Sequence, residues 1–288
     1  MQRVVIVGAG LGGLRAAESL RSADYSDAIT IVGDEVYFPY NRPPLSKEAL
    51  AGGIDVEGLE FRRKASVDDV EWLLGTPAAG CDLSLRTVTL SDGATLEFDG
   101  LVVASGIRPR RLPIPGPTGG RYALRTAADA LAVREHLTPG AAVIIMGAGF
   151  IGCEVAATAI NLGCTVHVVA LDDEPRVRPL GLELGAAMRR RHEAHGVRFH
   201  LGHTIVAFSG DDDVRSATLS DGTELRADLV IEAVGSVANT EWLRGNDLDL
   251  SDGLLTDSAM QVPTSLAPVV AVGDLARHPN GFFGQIPR

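Results

Sequence analysis

The chain has 288 residues, of which 45% are hydrophobic and 22% charged, and a formal net charge of −11. That length accommodates two compact domains of an α/β protein. The acidic balance argues against nucleic acid or an anionic membrane as partner. The longest apolar runs, AAVIIM and LVVAS, are strand-sized and too short to cross a bilayer.

Residues 3–8 read as a strand, 11–22 as a helix and 28–33 as a second strand, the βαβ start of a doubly wound sheet. Between the first strand and the helix, VVIVGAGLGGLRAAESL carries Gly8, Gly10 and Gly13 in G-x-G-x-x-G spacing. In such a turn the first glycine permits the bend and the second lets a pyrophosphate approach bare backbone. The third lets helix pack on strand, so the helix N-terminus presents free N–H groups to phosphate. Asp34 and Glu35 follow the second strand in ITIVGDE. A carboxylate there suits the adenosine ribose hydroxyls, Asp34 ahead of Glu35, a polar loop start being the alternative.

A segment with Pro39, Pro43 and Pro44 leads to a short helix expected around Ser46–Ala51, with Ser46 as N-cap. Arg42 in this segment can meet a pyrophosphate. Lys47 can reach a flavin ring or a neighbouring carboxylate, or simply be solvated at a helix start. The segments RTVTL and ATLEFDGLVVAS, joined by the turn SDG at 91–93, read as antiparallel strands closing the first domain. RLPIPGPTGG (111–120), with three prolines and three glycines, reads as a linker.

A second βαβ unit begins at Ala141, with strands near 142–147 and 165–170. Its turn, VIIMGAGFIGCEVAATA, repeats the fingerprint with Gly147, Gly149 and Gly152. One glycine turn of this kind also occurs for packing alone; two in the same context imply two dinucleotides on one chain. Glu154 stands one turn into the helix, where an anion facing a pyrophosphate needs a cation; Lys47 is the candidate. A glutamate complementing the helix dipole is the alternative. After the second strand of this unit, VHVVALDDEPRVR puts Ala170 and Leu171 where a ribose-binding acid is expected. Arg176 and Arg178 would suit a 2′-phosphate, but Asp172, Asp173 and Glu174 would repel it, so NADH is favoured and NADPH stays open. The run MRRRHEAH reads as the solvated face and end of a helix. SATLSDGTELRADLVIEAVG then repeats LRTVTLSDGATLEFDGLVVASG of the first domain, an internal duplication.

APVVAVGDLARH is a short buried strand ending at Gly273 and Asp274, expected to return to the first domain and so make the second an insertion. Asp274, at a strand's carboxyl end, suits a ribityl or ribose hydroxyl. The cysteines, Cys81, Cys153 and Cys164, form no C-x-x-C or C-x4-C pair. They read as small buried apolar residues in a reducing compartment rather than a dithiol relay. The first strand begins by Arg3 with no export signal before it, so a cytoplasmic setting is expected. No metal site is predicted.

With these residues in hand, the chain resembles the FAD-dependent pyridine nucleotide-disulfide oxidoreductase superfamily. Within it the chain looks most like the ferredoxin reductases that supply Rieske-type oxygenases and cytochrome monooxygenases, relatives of apoptosis-inducing factor. PYNRPPLSK (39–47) is the most specific piece. VVASGIRPRRLPIPG (102–116), GAGFIGCEVA (147–156), NTEWL (239–243) and AVGDLARHP (271–279) support it.

The resemblance implies an α/β fold of two Rossmann-like, doubly wound, three-layer nucleotide-binding domains, the second inserted into the first. Residues 1–112 and 245–288 would form the FAD-binding domain and 113–244 the NAD(P)H-binding domain. The resemblance implies FAD contacts from Gly8, Gly10, Gly13, Asp34, Arg42, Lys47, Arg110 and Asp274. Glu35, Ala104, Gly106 and Gly273 are further cofactor-binding candidates. NAD(P)H contacts are implied for Gly147, Gly149, Gly152 and Gly235, with Glu154 close to the nicotinamide and paired with Lys47 near the flavin N5. No cysteine follows Gly13 in the helix where disulfide reductases of the superfamily carry their redox pair, which disfavours that activity. Superfamily members continue past the Gly-Asp motif into a C-terminal interface domain, expected to be absent here.

The implied activity is transfer of electrons from NAD(P)H through FAD to a ferredoxin-type iron–sulfur protein, with Lys47 and Glu154 as the catalytic candidates. Two alternatives stay open. One is a same-fold oxidoreductase reducing oxygen, a quinone or a natural-product intermediate. The other is a non-catalytic flavin- or nucleotide-binding protein that responds to redox state.

Overall fold

The computed structural model describes residues 2–53, 55–280 and 284–285. The chain divides into two compact units. The first comprises Met1–Asn41, Val56–Arg108 and Val237–Arg288, and the second Arg42–Asp55 and Pro109–Ser236.

Among the described residues, the first unit is built on a parallel sheet in the order Val269–Ala271, Gly100–Val103, Arg3–Val7, Ala28–Val32, Glu71–Leu73. The helix Leu11–Ser22 covers one face, burying Leu14 and Ala17 against Ile6, Ile29 and Ile31. The other face packs Val5, Val7, Leu101 and Val103 on Leu83, Val88 and Phe98 of an antiparallel layer, Ala78–Asp82, Thr87–Leu90 and Thr95–Glu97. Three layers result, with strands buried on both faces and therefore continuously apolar rather than alternating. The short strand Val269–Ala271 does return to this unit, beside Gly100–Val103.

The second unit repeats the plan. Its parallel sheet runs Arg198–Leu201, Thr165–Ala170, Ala142–Met146, Leu229–Glu232, Arg121–Tyr122. The helix Phe150–Asn161 packs on the two central strands, and the antiparallel layer Ile205–Ser209, Ser216–Leu219, Glu224–Arg226 covers Ile144, Met146, Val169 and Val230. The duplicated hairpins fold alike: Gly93 N donates to Leu90 O and Gly222 N to Leu219 O, each at 3.0 Å.

Each hairpin ends in an aspartate that anchors the central strand. Asp99 Oδ2 accepts from the backbone N–H groups of Gln2 and Arg3 at 2.8 and 2.9 Å, and Asp228 Oδ2 accepts from Ala142 N at 2.9 Å. In return Asp99 N donates to Arg3 O, and Asp228 N to Ala142 O, both at 2.8 Å.

Four sequence expectations change. ATLEFDGLVVAS is not one antiparallel strand: Thr95–Glu97 is antiparallel, whereas Gly100–Val103 turns into the parallel sheet, its residues buried on both sides. The segment 111–120 is packed rather than free. Leu112 and Ile114 lie against the second core, and the buried Glu232 accepts from Arg121 Nε at 3.0 Å and Leu112 N at 3.2 Å.

The domain limits move as well. Arg42–Asp55, expected in the first domain, belongs to the second unit because Pro43–Ser46 and Glu48–Gly52 pack on the helices Ala127–His136 and Phe150–Asn161. The return to the first unit comes at Val237 rather than 245, since Ala238, Trp242 and Leu243 already belong to its core. Ser46, finally, caps no helix. Pro43 and Pro44 open a 3-10 turn that ends at Ser46, and the N-cap of the next helix is Lys47.

The backbone N–H of Ala142 holds the Asp228 carboxyl below its ordinary value of 3.8. A carboxylate with a depressed folded-state value adds stability above the unfolded value, and that contribution disappears as pH falls below it. Asp228→Asn should therefore cost about 1 kcal/mol at pH 7, roughly 2–4 °C in melting temperature. The gap between melts of variant and parent should narrow as pH falls below 3.8 and close once the folded protein's Asp228 is protonated; a gap that stays constant through that fall would contradict this role.

Candidate nucleotide sites

The first glycine of each fingerprint is held by the neighbouring strand. Gly8 has φ +124° and Gly147 φ +101°, and a side chain on either would run into a backbone carbonyl, that of Ala104 or of Ala233. The third glycines, Gly13 and Gly152, lie on the carbonyls of Gly8 and Gly147, so any Cβ there would separate helix from strand. The middle glycines differ: a Cβ on Gly10 or Gly149 would meet nothing within 4 Å among the described residues. Both are helix N-caps with extended backbone, no described side chain caps them, and neither first helical turn contains an acid. Each helix thus offers uncompensated N–H groups to an anion across open backbone.

In the first unit three further strand ends lie beside this turn. Gly33 and Asp34 follow Ala28–Val32, Ala104–Gly106 follow Gly100–Val103, and Gly273 and Asp274 follow Val269–Ala271. Asp34 and Asp274 are exposed, whereas Glu35 is half-buried and accepts from the Tyr40 hydroxyl at 2.6 Å. Asp34 is thus the more accessible of the two acids weighed for ribose. Gly106, at φ +64°, accepts from Asn239 N at 2.9 Å. Ser105 and Asn239 exchange further bonds at 2.6 and 2.8 Å, and Arg108 takes the Glu241 carboxylate at 2.6 and 3.1 Å. NTEWL therefore clamps the loop after Gly100–Val103, a role its sequence alone did not disclose.

In the second unit Gly235, at φ +98°, follows Leu229–Glu232 and faces open space, its carbonyl accepting from Arg110 N at 2.9 Å. Arg42, Lys47 and Arg110, expected to serve the FAD domain, all belong to this unit. Arg42 donates to Arg125 O at 2.8 Å, and Arg110 is exposed.

Lys47 and Glu154 come together: Lys47 Nζ lies 3.1 Å from Glu154 Oε2. The Ser46 hydroxyl donates to the same oxygen at 2.6 Å, and Arg176 Nη2 stands 4.0 Å from Oε1. Thr158 fixes the loop, its hydroxyl donating to Ser46 O at 2.9 Å. Arg176 lies over the Phe150 ring at 4.4 Å and donates its backbone N–H to Ala148 O at 3.0 Å. Ser46 and Arg176 were missed as partners of the Glu154 carboxylate, and Thr158 as the residue that holds Ser46 in place. Pro-Pro-Leu-Ser is the only signal for Ser46, and it reads equally well as a cap.

The cysteines are unpaired among the described residues. Burial pushes the Cys81 thiol up to about 12, and burial also raises those of Cys153 and Cys164. Neutral thiols are poor nucleophiles, so none suits a dithiol relay.

A strand–glycine turn–helix repeated once in each unit, with open middle glycines, defines a protein built to hold two dinucleotides. The family model described as pyridine nucleotide-disulphide oxidoreductase matches residues 2–285. The chain belongs to that family. It is 35% identical over 280 residues to rhodocoxin reductase of Rhodococcus erythropolis, covering 96% of this chain and 65% of the relative. It is 37% identical over 294 residues to putidaredoxin reductase CamA of Pseudomonas putida, covering 98% and 68%. The crystal structure of the covalent putidaredoxin reductase–putidaredoxin complex aligns with a TM-score of 0.92 at 32% identity, covering 100% of this chain and 71% of that one. The chain thus spans about two thirds of the length of the curated relatives it matches. Among the described residues, no helix is long and apolar enough to cross a membrane.

The two kinds of glycine should separate by melting. Gly10→Val and Gly149→Val are expected to fold, at a cost of about 1 kcal/mol or less from the N-cap. Gly13→Val and Gly152→Val should lose several kcal/mol or fail to fold, because backbone must move. Equal melting temperatures in circular dichroism for a middle and a third glycine variant would contradict the packing.

Proposed function

We propose that this chain is an FAD-containing, NAD(P)H-dependent reductase that passes electrons to a ferredoxin-type iron–sulfur protein. The observation that carries the proposal is the pair of geometrically equivalent glycine turns, one in each unit, each with an uncapped helix and an open middle glycine. Relatives whose names give them as ferredoxin--NAD(+) reductase components of benzene and biphenyl dioxygenase systems support the choice of acceptor.

In this reading the first unit holds FAD. Gly8, Gly10 and Gly13 shape the pyrophosphate site, Asp34 takes the ribose, and Asp274 with Ala104–Gly106 lines the adjoining strand ends. Glu35, bonded to Tyr40, supports the loop. The second unit holds the nicotinamide nucleotide on Gly147, Gly149, Gly152 and Gly235. When bound, FAD supplies the conversion between two-electron donation by NADH and one-electron release to an iron–sulfur centre.

The protein's own residues position and tune. Lys47 and Glu154 neutralise one another beside the second glycine turn, and Ser46 and Arg176 complete the carboxylate's partners. No side chain is needed as a proton donor or acceptor, so the roles of Lys47 and Glu154 are electrostatic. Arg42 and Arg110 supply positive charge for phosphate. A cytoplasmic setting belongs to the same proposal and is supported by three cysteines with no disulfide among them.

Steady-state assays should show NADH oxidation accelerated by added ferredoxin. A rate unchanged by ferredoxin and set by oxygen or a quinone would replace this acceptor with a small molecule. In anaerobic stopped-flow, Lys47→Ala should slow flavin reduction roughly tenfold or more while changing nucleotide affinity far less. An unchanged reduction rate would remove Lys47 from the mechanism.

A further inference from the structure

The two units can be compared residue by residue at the end of the strand that follows each glycine turn. Gly8 N donates to Val32 O and Gly147 N to Val169 O, both at 2.8 Å. The sheet registers agree, since Val7 pairs with Val32 and Met146 with Val169. Ala170 therefore stands where the first unit has Gly33, and Leu171 where it has Asp34.

Neither residue can accept a hydrogen bond through its side chain. Ala170 is buried, and Leu171 is 71% exposed, an apolar side chain just past the strand end. The acids that follow do not restore the missing function. Glu174 is committed to Arg189, at 2.9 and 3.1 Å. Asp172 faces Arg178 at 3.7 Å, and the Arg178 side chain is 86% exposed. Asp173 is exposed one position further along. The pair of Asp172 and Arg178 carries one charge of each sign, so it presents neither a clear barrier to a phosphate nor a dedicated receptor for one. A carboxylate on the ribose diol selects the 2′-hydroxyl and rejects the 2′-phosphate, whereas an arginine favours the phosphate. Here neither device is in place.

From this we infer that the nucleotide cleft of the second unit does not read the 2′ position of the adenosine ribose. It takes NADH and NADPH with affinities within tenfold of each other, and Leu171 is the position that sets this indifference. The inference rests on the reading that the second unit binds the nicotinamide nucleotide. It concerns specificity rather than chemistry, because a site without a polar partner loses little when the partner on the ligand changes.

The test is equilibrium binding to the flavin-loaded protein by calorimetry at about 0.1 M salt, where exposed charges are partly screened. The probes are ADP-ribose and its 2′-phosphorylated form, which lack nicotinamide and so cannot be oxidised or reduced. Dissociation constants within tenfold of each other are expected, and a preference beyond tenfold in either direction overturns the inference. Leu171→Asp should shift the ratio at least tenfold toward ADP-ribose, and Leu171→Ala should leave it unchanged. An unmoved ratio in the aspartate variant, or a tenfold move in the alanine variant, removes Leu171 from the specificity. If neither probe binds and NADH leaves the flavin oxidised, the function proposed above fails together with this inference. Selective binding sinks only the latter.

Discussion

The close approach of a carbonyl oxygen to a glycine α-carbon organises each half of this molecule. Ala104 presses its carbonyl on Gly8, and Ala233 presses on Gly147. With a side chain in either place the central strand could not turn so tightly into its helix, and the helix axis would miss the sheet's carboxyl edge. Because it does not miss, the first N–H groups of both helices are left without a side-chain cap at the glycine turn. The aspartate anchors Asp99 and Asp228 hold the other end of the same strands, so the turn is fixed from both sides.

On this shared frame the two halves diverge in their chemistry. The first places an exposed carboxylate, Asp34, beyond the strand that follows its glycine turn; the second places Leu171 there. The second instead gathers charge around its helix, with Glu154 meeting Lys47, Ser46 and Arg176. These charges are partly exposed, and pairs of that kind contribute about 1 kcal/mol or less to folding. Under the proposed function these charges act on a bound ring rather than on stability. Duplication of a scaffold followed by separate adjustment of its strand ends lets one chain hold two nucleotides of different function.

Much of this frame was legible before the fold was known. The helix Leu11–Ser22 and the strand Thr165–Ala170 have the limits that glycine spacing and apolar runs predict, and the flanking strands differ by about one residue. Local signals of turn chemistry and periodicity suffice there, because the elements are short and sharply bounded. Gly100–Val103 was misread because a strand buried on both faces has no alternation to betray its direction. Arg42–Asp55 was assigned to the wrong unit because its partners, the helices beginning at Ala127 and Phe150, lie far away in sequence. The pairing of Lys47 with Glu154 was legible from charge need together with the family resemblance, whereas Ser46 was not, since a serine after two prolines serves as well for a cap as for a donor to a distant carboxylate.

Under the proposed function both nucleotides are held on one chain and electrons pass between them. The direct measurement is to load the purified protein with excess FAD, remove what does not bind, and titrate the remainder with NADH in the absence of oxygen. A yellow protein with one FAD per chain, whose colour bleaches with about one equivalent of NADH, is expected. A colourless protein that retains no flavin, or a yellow one that NADH leaves unchanged, would contradict it.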